Sequence, residues 1–188
     1  YRGFISFLVS KYPQHRYSGL EILQELFERA KQDCPDVYFH KGDILKDDFS
    51  NYPQYDCIFM NGVNGLFDNE KVWLENIYSL LKVGGIANIF GPFNEWDIDV
   101  VTRVRRSGET GSYEKGWNTL SRKTVSMELQ RLGVDNSRFI DFEMPFDIQK
   151  NSSDPLRSWT MIDDNGHRIV LNGACLIRPQ SLLQYTRI

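Results

Sequence analysis

Two short apolar runs constrain this chain more than anything else in it. Tyr55–Met60 is apolar after Asp56, and Ile86–Phe90 stops at Gly91-Pro92. Runs of this length and composition are expected of strands covered on both faces, as in a parallel sheet. Between them Leu74, Ile77, Tyr78 and Leu81 recur at helical spacing. Asp68 is placed to cap that helix, Lys82 suits its negative end, and Gly84-Gly85 is expected to close it. The preceding segment repeats the pattern. Phe4, Ile5 and Leu8 predict the body of a helix that begins at or before residue 1 and ends before Pro13. His15 to Leu20 reads as extended, and Ile22, Leu23, Leu26, Phe27 and Ala30 mark an amphipathic helix broken by Cys34-Pro35-Asp36. Val37-Tyr38-Phe39 then reads as a strand. Alternation of this kind with short links means a parallel α/β sheet wrapped by helices.

The second half lacks this rhythm. Residues 92–118 carry no clean period and read as a connection or lid. A helix is expected over Leu120–Leu132, closed by Gly133, and a strand over Phe139–Met144. Trp159–Ile162 and His167–Leu171 flank Asn165-Gly166 as a hairpin, and Leu182–Ile188 reads as a last strand. With 188 residues and no internal repeat, one domain is expected. Hydrophobic residues make up 41% and charged residues 25%, so the chain is not of the disordered class. A net charge of −3 offers no broad footprint for nucleic acid. No apolar run reaches membrane-spanning length, and the start shows no signal-peptide pattern. Cys34, Cys57 and Cys175 are odd in number and far apart, which argues against a disulfide framework or a metal site and suits a reducing cytoplasm. Cys57, inside an apolar run, is expected to be packing.

Three loops gather chemistry at the carboxyl ends of successive expected strands. Glu21 follows Gly3 by 18 residues, close to the spacing of about 20 at which nucleotide-binding α/β sheets place a carboxylate for ribose hydroxyls. Gly42-Asp43-Ile44 offers an acceptor for an adenine amino edge beside an apolar cover. Asn61-Gly62 ends the Tyr55–Met60 run at the expected switch point of the sheet.

In these residues the chain resembles a class I S-adenosylmethionine-dependent methyltransferase, from Gly3 to about Gly91. Gly3-Phe4 is similar to the last glycine of the family's Gly-x-Gly-x-Gly loop and the first residue of its helix. Tyr17-Ser18-Gly19-Leu20-Glu21 resembles its second strand with the ribose-binding acid, and Lys41-Gly42-Asp43-Ile44 its adenine turn. Tyr55–Asn61 resembles its fourth strand. Leu81-Lys82-Val83-Gly84-Gly85 resembles the turn before its fifth, with Val83 for the usual proline. The resemblance implies a Rossmann-like, seven-stranded, mostly parallel sheet with an antiparallel last strand. It implies S-adenosyl-L-methionine as cofactor, held by Gly3, Glu21, Asp43, Ile44, Asn61 and Gly62. Residues 1–91 would form the cofactor half and 92–188 the lid, hairpin and acceptor half of one domain. The family's first strand and most of its glycine-rich loop are missing from this chain, which implies about 50 preceding residues, or a truncated or fused chain.

The implied reaction is methyl transfer to an oxygen or nitrogen of a small molecule: a sugar, a lipid-linked intermediate or a natural product. No metal, nucleic acid or membrane span is expected. The Asn-Pro-Pro-Tyr motif that grips planar amines is absent, since Gly62-Val63-Asn64 follows Asn61. No catalytic base stands out among His15, His40 and His167. Arg103, Arg105 and Arg106 could grip an acidic substrate or simply be solvated, and Trp96, Trp117 and Trp159 could wall an acceptor pocket or serve as core. Two other classes stay open: a non-catalytic binding or regulatory subunit of the same fold, and a nicotinamide-dependent oxidoreductase.

Overall fold

Proline and glycine punctuation cuts the chain into alternating helices and strands, and the computed structural model describes residues 3–154, 156–174 and 177–188 of it. Two compact units result, Tyr1–Asp48 and Phe49–Ile188.

The first unit holds α1 (Phe4–Lys11), β1 (Ser18–Glu21), α2 (Gln24–Asp33) and β2 (Tyr38–Lys41). The first helix begins at Phe4 rather than at or before residue 1. Gly3 is its cap, and the Phe7 amide closes the first turn on the Gly3 carbonyl at 3.1 Å. Tyr17 ties off its other end, donating from its hydroxyl to the carbonyls of Leu8 and Tyr12 at 3.0 and 2.8 Å. β1 and β2 are parallel, with Glu21 opposite Lys41, and α2 is the crossover between them. The apolar period of α2 does not produce a buried face: neither α1 nor α2 buries a residue, and Val37 alone among this unit's described residues joins the core.

In the second unit β3 (Tyr55–Asn61) leads through a 3-10 turn (Asn64–Leu66) to α3 (Lys71–Leu80) and β4 (Leu81–Asn94). Next come β5 (Arg103–Val104), β6 (Glu114–Lys115), β7 (Leu120–Ser121), α4 (Arg122–Arg131) and β8 (Arg138–Phe142). The chain ends with β9 (Trp159–Ile162), β10 (Arg168–Leu171) and β11 (Gln180–Thr186). The main sheet has the order β3-β4-β11-β8, and β7 pairs with the far end of β4. β3 and β4 are parallel, while β11 runs antiparallel to both of its neighbours, as expected of the last strand. Ala87, Ile89, Phe93 and Leu183 of this sheet pack with Trp73, Leu74, Val125 and Leu129 of α3 and α4 into a core without solvent exposure.

Several expectations are corrected. The described strands fall into four sheets, one of five strands and three of two. The apolar run of β3, the edge strand of the main sheet, is not fully covered: Phe59 is 46% exposed and Cys57 is exposed rather than packed. Cys175 lies outside the described residues. Gly84-Gly85 does not end α3. The helix stops at Leu80, and the glycines form an irregularity inside β4, where the register with β3 slips between Tyr55 and Cys57. Gly84 needs its positive φ of 79°, and a Cβ on Gly85 would meet the carbonyls of Lys82 and Tyr55 at 2.9 Å. β4 also runs on through Gly91-Pro92 to Asn94, because the Phe93 amide finds the Pro179 carbonyl at 3.1 Å.

Asp68 makes no cap on α3. Its carboxylate instead accepts from Arg103 and Asn118, both at 2.9 Å, and lies 3.1 Å from the Lys115 ammonium. Arg103 and Lys115 face each other across β5 and β6, so Asp68 neutralises a pair that would otherwise repel. Helix α4 starts at Arg122 rather than Leu120. Ser121 is its cap, accepting from the Lys123 amide at 3.1 Å. The β9–β10 hairpin forms as expected, with Gly166 at φ 84° and Asp163 accepting from the amides of Asn165 and His167.

Candidate cofactor and acceptor residues

The candidate cofactor residues divide between the units: Gly3, Glu21, Asp43 and Ile44 in the first, Asn61 and Gly62 in the second. Within the first unit the parallel register brings two of the loops together. The Gly42 amide donates to the Glu21 carbonyl at 3.1 Å, so the turn carrying Asp43 and Ile44 begins beside the end of β1. Glu21 is half-buried, and its Oε1 accepts from the Leu23 amide at 2.9 Å. That bond fixes the carboxylate at the start of α2, while Oε2 has no hydrogen bond among the described residues. A carboxylate held on one oxygen and open on the other suits a diol.

Asp43 is more committed. Its Oδ1 accepts from the Leu45 amide at 2.9 Å, Lys46 lies 3.5 Å from Oδ2, and the Asp43 amide donates to Asp47 at 2.7 Å. These bonds build the turn that presents half-buried Ile44. Each carboxylate oxygen keeps acceptor capacity beyond them. Gly3 has φ −76° and open space where a Cβ would stand, so nothing local demands glycine there.

In the second unit Asn61 ends β3, exposed and opposite Phe90. Gly62 turns the chain away with φ 70°, donating to the Phe90 carbonyl at 2.7 Å. Two residues that the sequence did not single out, Asn64 and Gly91, lie beyond this turn. Asn64 is buried and donates to the Pro92 carbonyl at 3.0 Å; a Cβ on Gly91 would fall 1.8 Å from its Oδ1. Gly91 is therefore a steric requirement of the Asn64 side chain.

Two of the arginine candidates and two of the tryptophans have definite partners. Arg103 is taken by Asp68, and Arg105 lies 4.6 Å from the Tyr113 ring centre with a bond to the Gly111 carbonyl. Trp117 is half-buried beneath Arg178, 5.0 Å from its ring centre, and Trp159 is buried beneath Lys150. Burial lowers the Arg178 pKa to about 10. Trp96 differs, being 67% exposed on the rim of a cavity at the end of β4. Among the histidines, His15 and His167 are exposed, and His40 is half-buried in β2, where burial pushes its pKa down. Among the described residues no group of three or more His, Cys, Asp or Glu could hold a metal ion, and no helix is long and apolar enough to cross a membrane.

A main sheet in which an antiparallel last strand is inserted beside a parallel pair, with a parallel β-α-β unit preceding it in sequence, is the fold of S-adenosylmethionine-dependent methyltransferases. A methyltransferase of this kind from Methanosarcina mazei matches with a TM-score of 0.61 at 11% identity, over 99% of this chain and 87% of that one. The S-adenosylmethionine-dependent methyltransferase SibL, in its apo form, matches with a TM-score of 0.58 at 15% identity, over 97% of this chain. This chain spans 46% of SibL. CalS10 from Micromonospora echinaspora, an S-adenosylmethionine-bound amino pentose methyltransferase involved in calicheamicin biosynthesis, gives a TM-score of 0.52 at 13% identity, over 98% of this chain and 78% of CalS10. No family model and no curated protein matches the sequence.

Proposed function

We propose that this chain is an S-adenosylmethionine-dependent methyltransferase that acts on an oxygen or nitrogen of a small molecule. The observation that carries the reading is Glu21, a half-buried carboxylate at the carboxyl end of β1 with one oxygen fixed by Leu23 and the other open. The fold and its solved relatives supply the context. In this reading Glu21 takes the ribose hydroxyls, Asp43 accepts from the adenine amino group and Ile44 covers the ring. Gly3, Asn61 and Gly62 serve the methionine end. When bound, S-adenosylmethionine supplies a methyl group on a positively charged sulfur.

The chain's own part in the transfer is alignment of the acceptor, which accounts for much of the rate in a displacement of this kind. No side chain is assigned as a general base. Residues 1–91 serve the cofactor and 92–188 the acceptor, within one catalytic domain. We also infer that the open edge of β3 receives a further parallel strand. That strand would pair the open backbone edge of β3. The scattered cysteines suit a reducing cytoplasm, and the net charge of −3 favours a small acceptor over nucleic acid.

Calorimetric titration with S-adenosylhomocysteine tests the reading, with NAD as control. Saturable binding of the first ligand alone is expected. Glu21→Ala should weaken it about tenfold, the effect of losing a charge-assisted hydrogen bond. A folded protein that binds neither ligand, or binds NAD instead, would overturn the enzyme assignment. Binding that is indifferent to Glu21→Ala would remove the ribose role.

A further inference from the structure

The cavity at the end of β4 has a volume of about 340 Å³ and lies within the second unit. Trp96, Val100, Ile177 and Pro179 give it apolar walls, and Glu95 is its one charged lining residue. We propose that this cavity holds an organic amine, with the nitrogen against Glu95 and the carbon skeleton against Trp96. As the identity of the methyl acceptor this deepens the methyltransferase reading and rests on it; as an amine-binding site it stands on the geometry that follows.

Glu95 belongs to a run of three alternating acids, and the other two are occupied. Asp97 pairs with Lys123. Asp99 accepts from the Ser121 amide at 2.6 Å and the Thr124 hydroxyl at 2.8 Å, at the start of α4. Glu95 has no cationic partner among the described residues. Arg178 lies between two of the lining residues in sequence, but its guanidinium is over Trp117 and bonded to Ser158 at 2.8 Å. An anionic ligand would therefore meet an uncompensated carboxylate, whereas an ammonium would meet both a counter-charge and the face of an indole.

The site is built before any ligand arrives. Asn94 holds the turn that carries Glu95 and Trp96: its Oδ1 accepts from the Trp96 amide at 3.1 Å, and its Nδ2 donates to the Ile98 carbonyl at 2.9 Å. The Ile98 amide closes the turn on the Trp96 carbonyl at 2.7 Å. Val100 and Thr119 exchange a pair of backbone bonds at 2.9 Å, and Pro179 is tied to Phe93 at the end of β4. A rigid turn that leaves a large indole in water loses little further freedom when a ligand packs on it.

Three phenyl probes of similar size test the charge preference: 2-phenylethylamine, 2-phenylethanol and 3-phenylpropanoate. Each is titrated into the full chain while the indole N–H signal of Trp96 is followed by NMR, with Trp96→Phe assigning the signal. The amine should bind about fivefold or more tightly than either competitor, Glu95→Gln should abolish that preference, and Trp96→Ala, followed by calorimetry because it lacks the reporter, should weaken the amine. Both side chains are exposed, so the variants should keep their far-ultraviolet circular dichroism. Equal affinity for the three probes, a preference that survives Glu95→Gln, or no shift at Trp96 would overturn the proposal. A parallel titration of S-adenosylhomocysteine keeps the two readings separate. If that ligand binds and the amine does not, the amine proposal falls alone; if the amine binds without it, the pocket stands and the methyltransferase reading falls.

Discussion

The two units use the same sequence signal to different effect. In Phe49–Ile188 the apolar periods of α3 and α4 become a core, with Trp73, Leu74, Val125 and Leu129 at 0% exposure. In Tyr1–Asp48 the periods of α1 and α2 are as clear, yet Phe4 is 40% exposed and Ile5, Leu8, Leu26, Phe27 and Ala30 are only half-buried. An amphipathic stripe yields burial only where another layer faces it. The proposed adenosine-binding residues thus lie in the unit with fewer buried contacts, the kind of region from which ligand-ordered loops are drawn.

Urea unfolding of paired truncations gives the largest test of this contrast. Trp73→Ala should cost about 3–5 kcal/mol, as large-to-small changes at well-packed sites do. Phe7→Ala, at a half-solvated site, should cost less than about 1 kcal/mol. Equal losses would mean that the first unit carries a core that its exposure does not show.

Gly91→Ala should cost about 1–3 kcal/mol through collision with Asn64, a typical price for overpacking. Adding Asn64→Ala should recover part of the loss in a double-mutant cycle. Strict additivity would show that the two residues do not constrain each other.

A smaller effect concerns acid. Burial pushes the Asp68 carboxyl up, but Lys115, Asn118 and Arg103 together outweigh it and hold its pKa below the ordinary value. A depressed carboxyl stabilises the fold fully above its unfolded pKa, and that contribution is lost as the pH falls through the folded pKa. Between neutral pH and about pH 5 the Asp68→Asn difference should therefore stay flat, and it should shrink below about pH 4. Measuring stability of both proteins across that range checks the sign; a difference that grows with acid would contradict it.

Features set by neighbouring residues were legible in the sequence. The alternation of the first half, the Gly133 stop and the Asn165-Gly166 turn all follow from period and punctuation, whereas the antiparallel final strand came from the family resemblance. Features set by distant partners were not. Asp68 looks like a helix cap until Arg103, Lys115 and Asn118 reach it from the 99–121 excursion. Gly84-Gly85 looks like a helix stop, but backbone bonds with Arg187 hold it inside β4. For the site, Glu21 and the Asp43 turn are legible because strand ends and acids can be read in order. Trp96 stood out as a large aromatic, whereas Glu95 did not: its lack of a cation appears only once Lys123 and the α4 terminus have taken Asp97 and Asp99.

The account's central claim is that the loops after β1 and β2 receive the cofactor. Amide hydrogen exchange with and without S-adenosylhomocysteine tests it most directly. Exchange should slow in residues 20–24 and 42–47, including the Leu23 and Leu45 amides that lean on Glu21 and Asp43, while Leu183 and Tyr185 in the core change little. Saturating ligand that leaves both loops unprotected would contradict the claim.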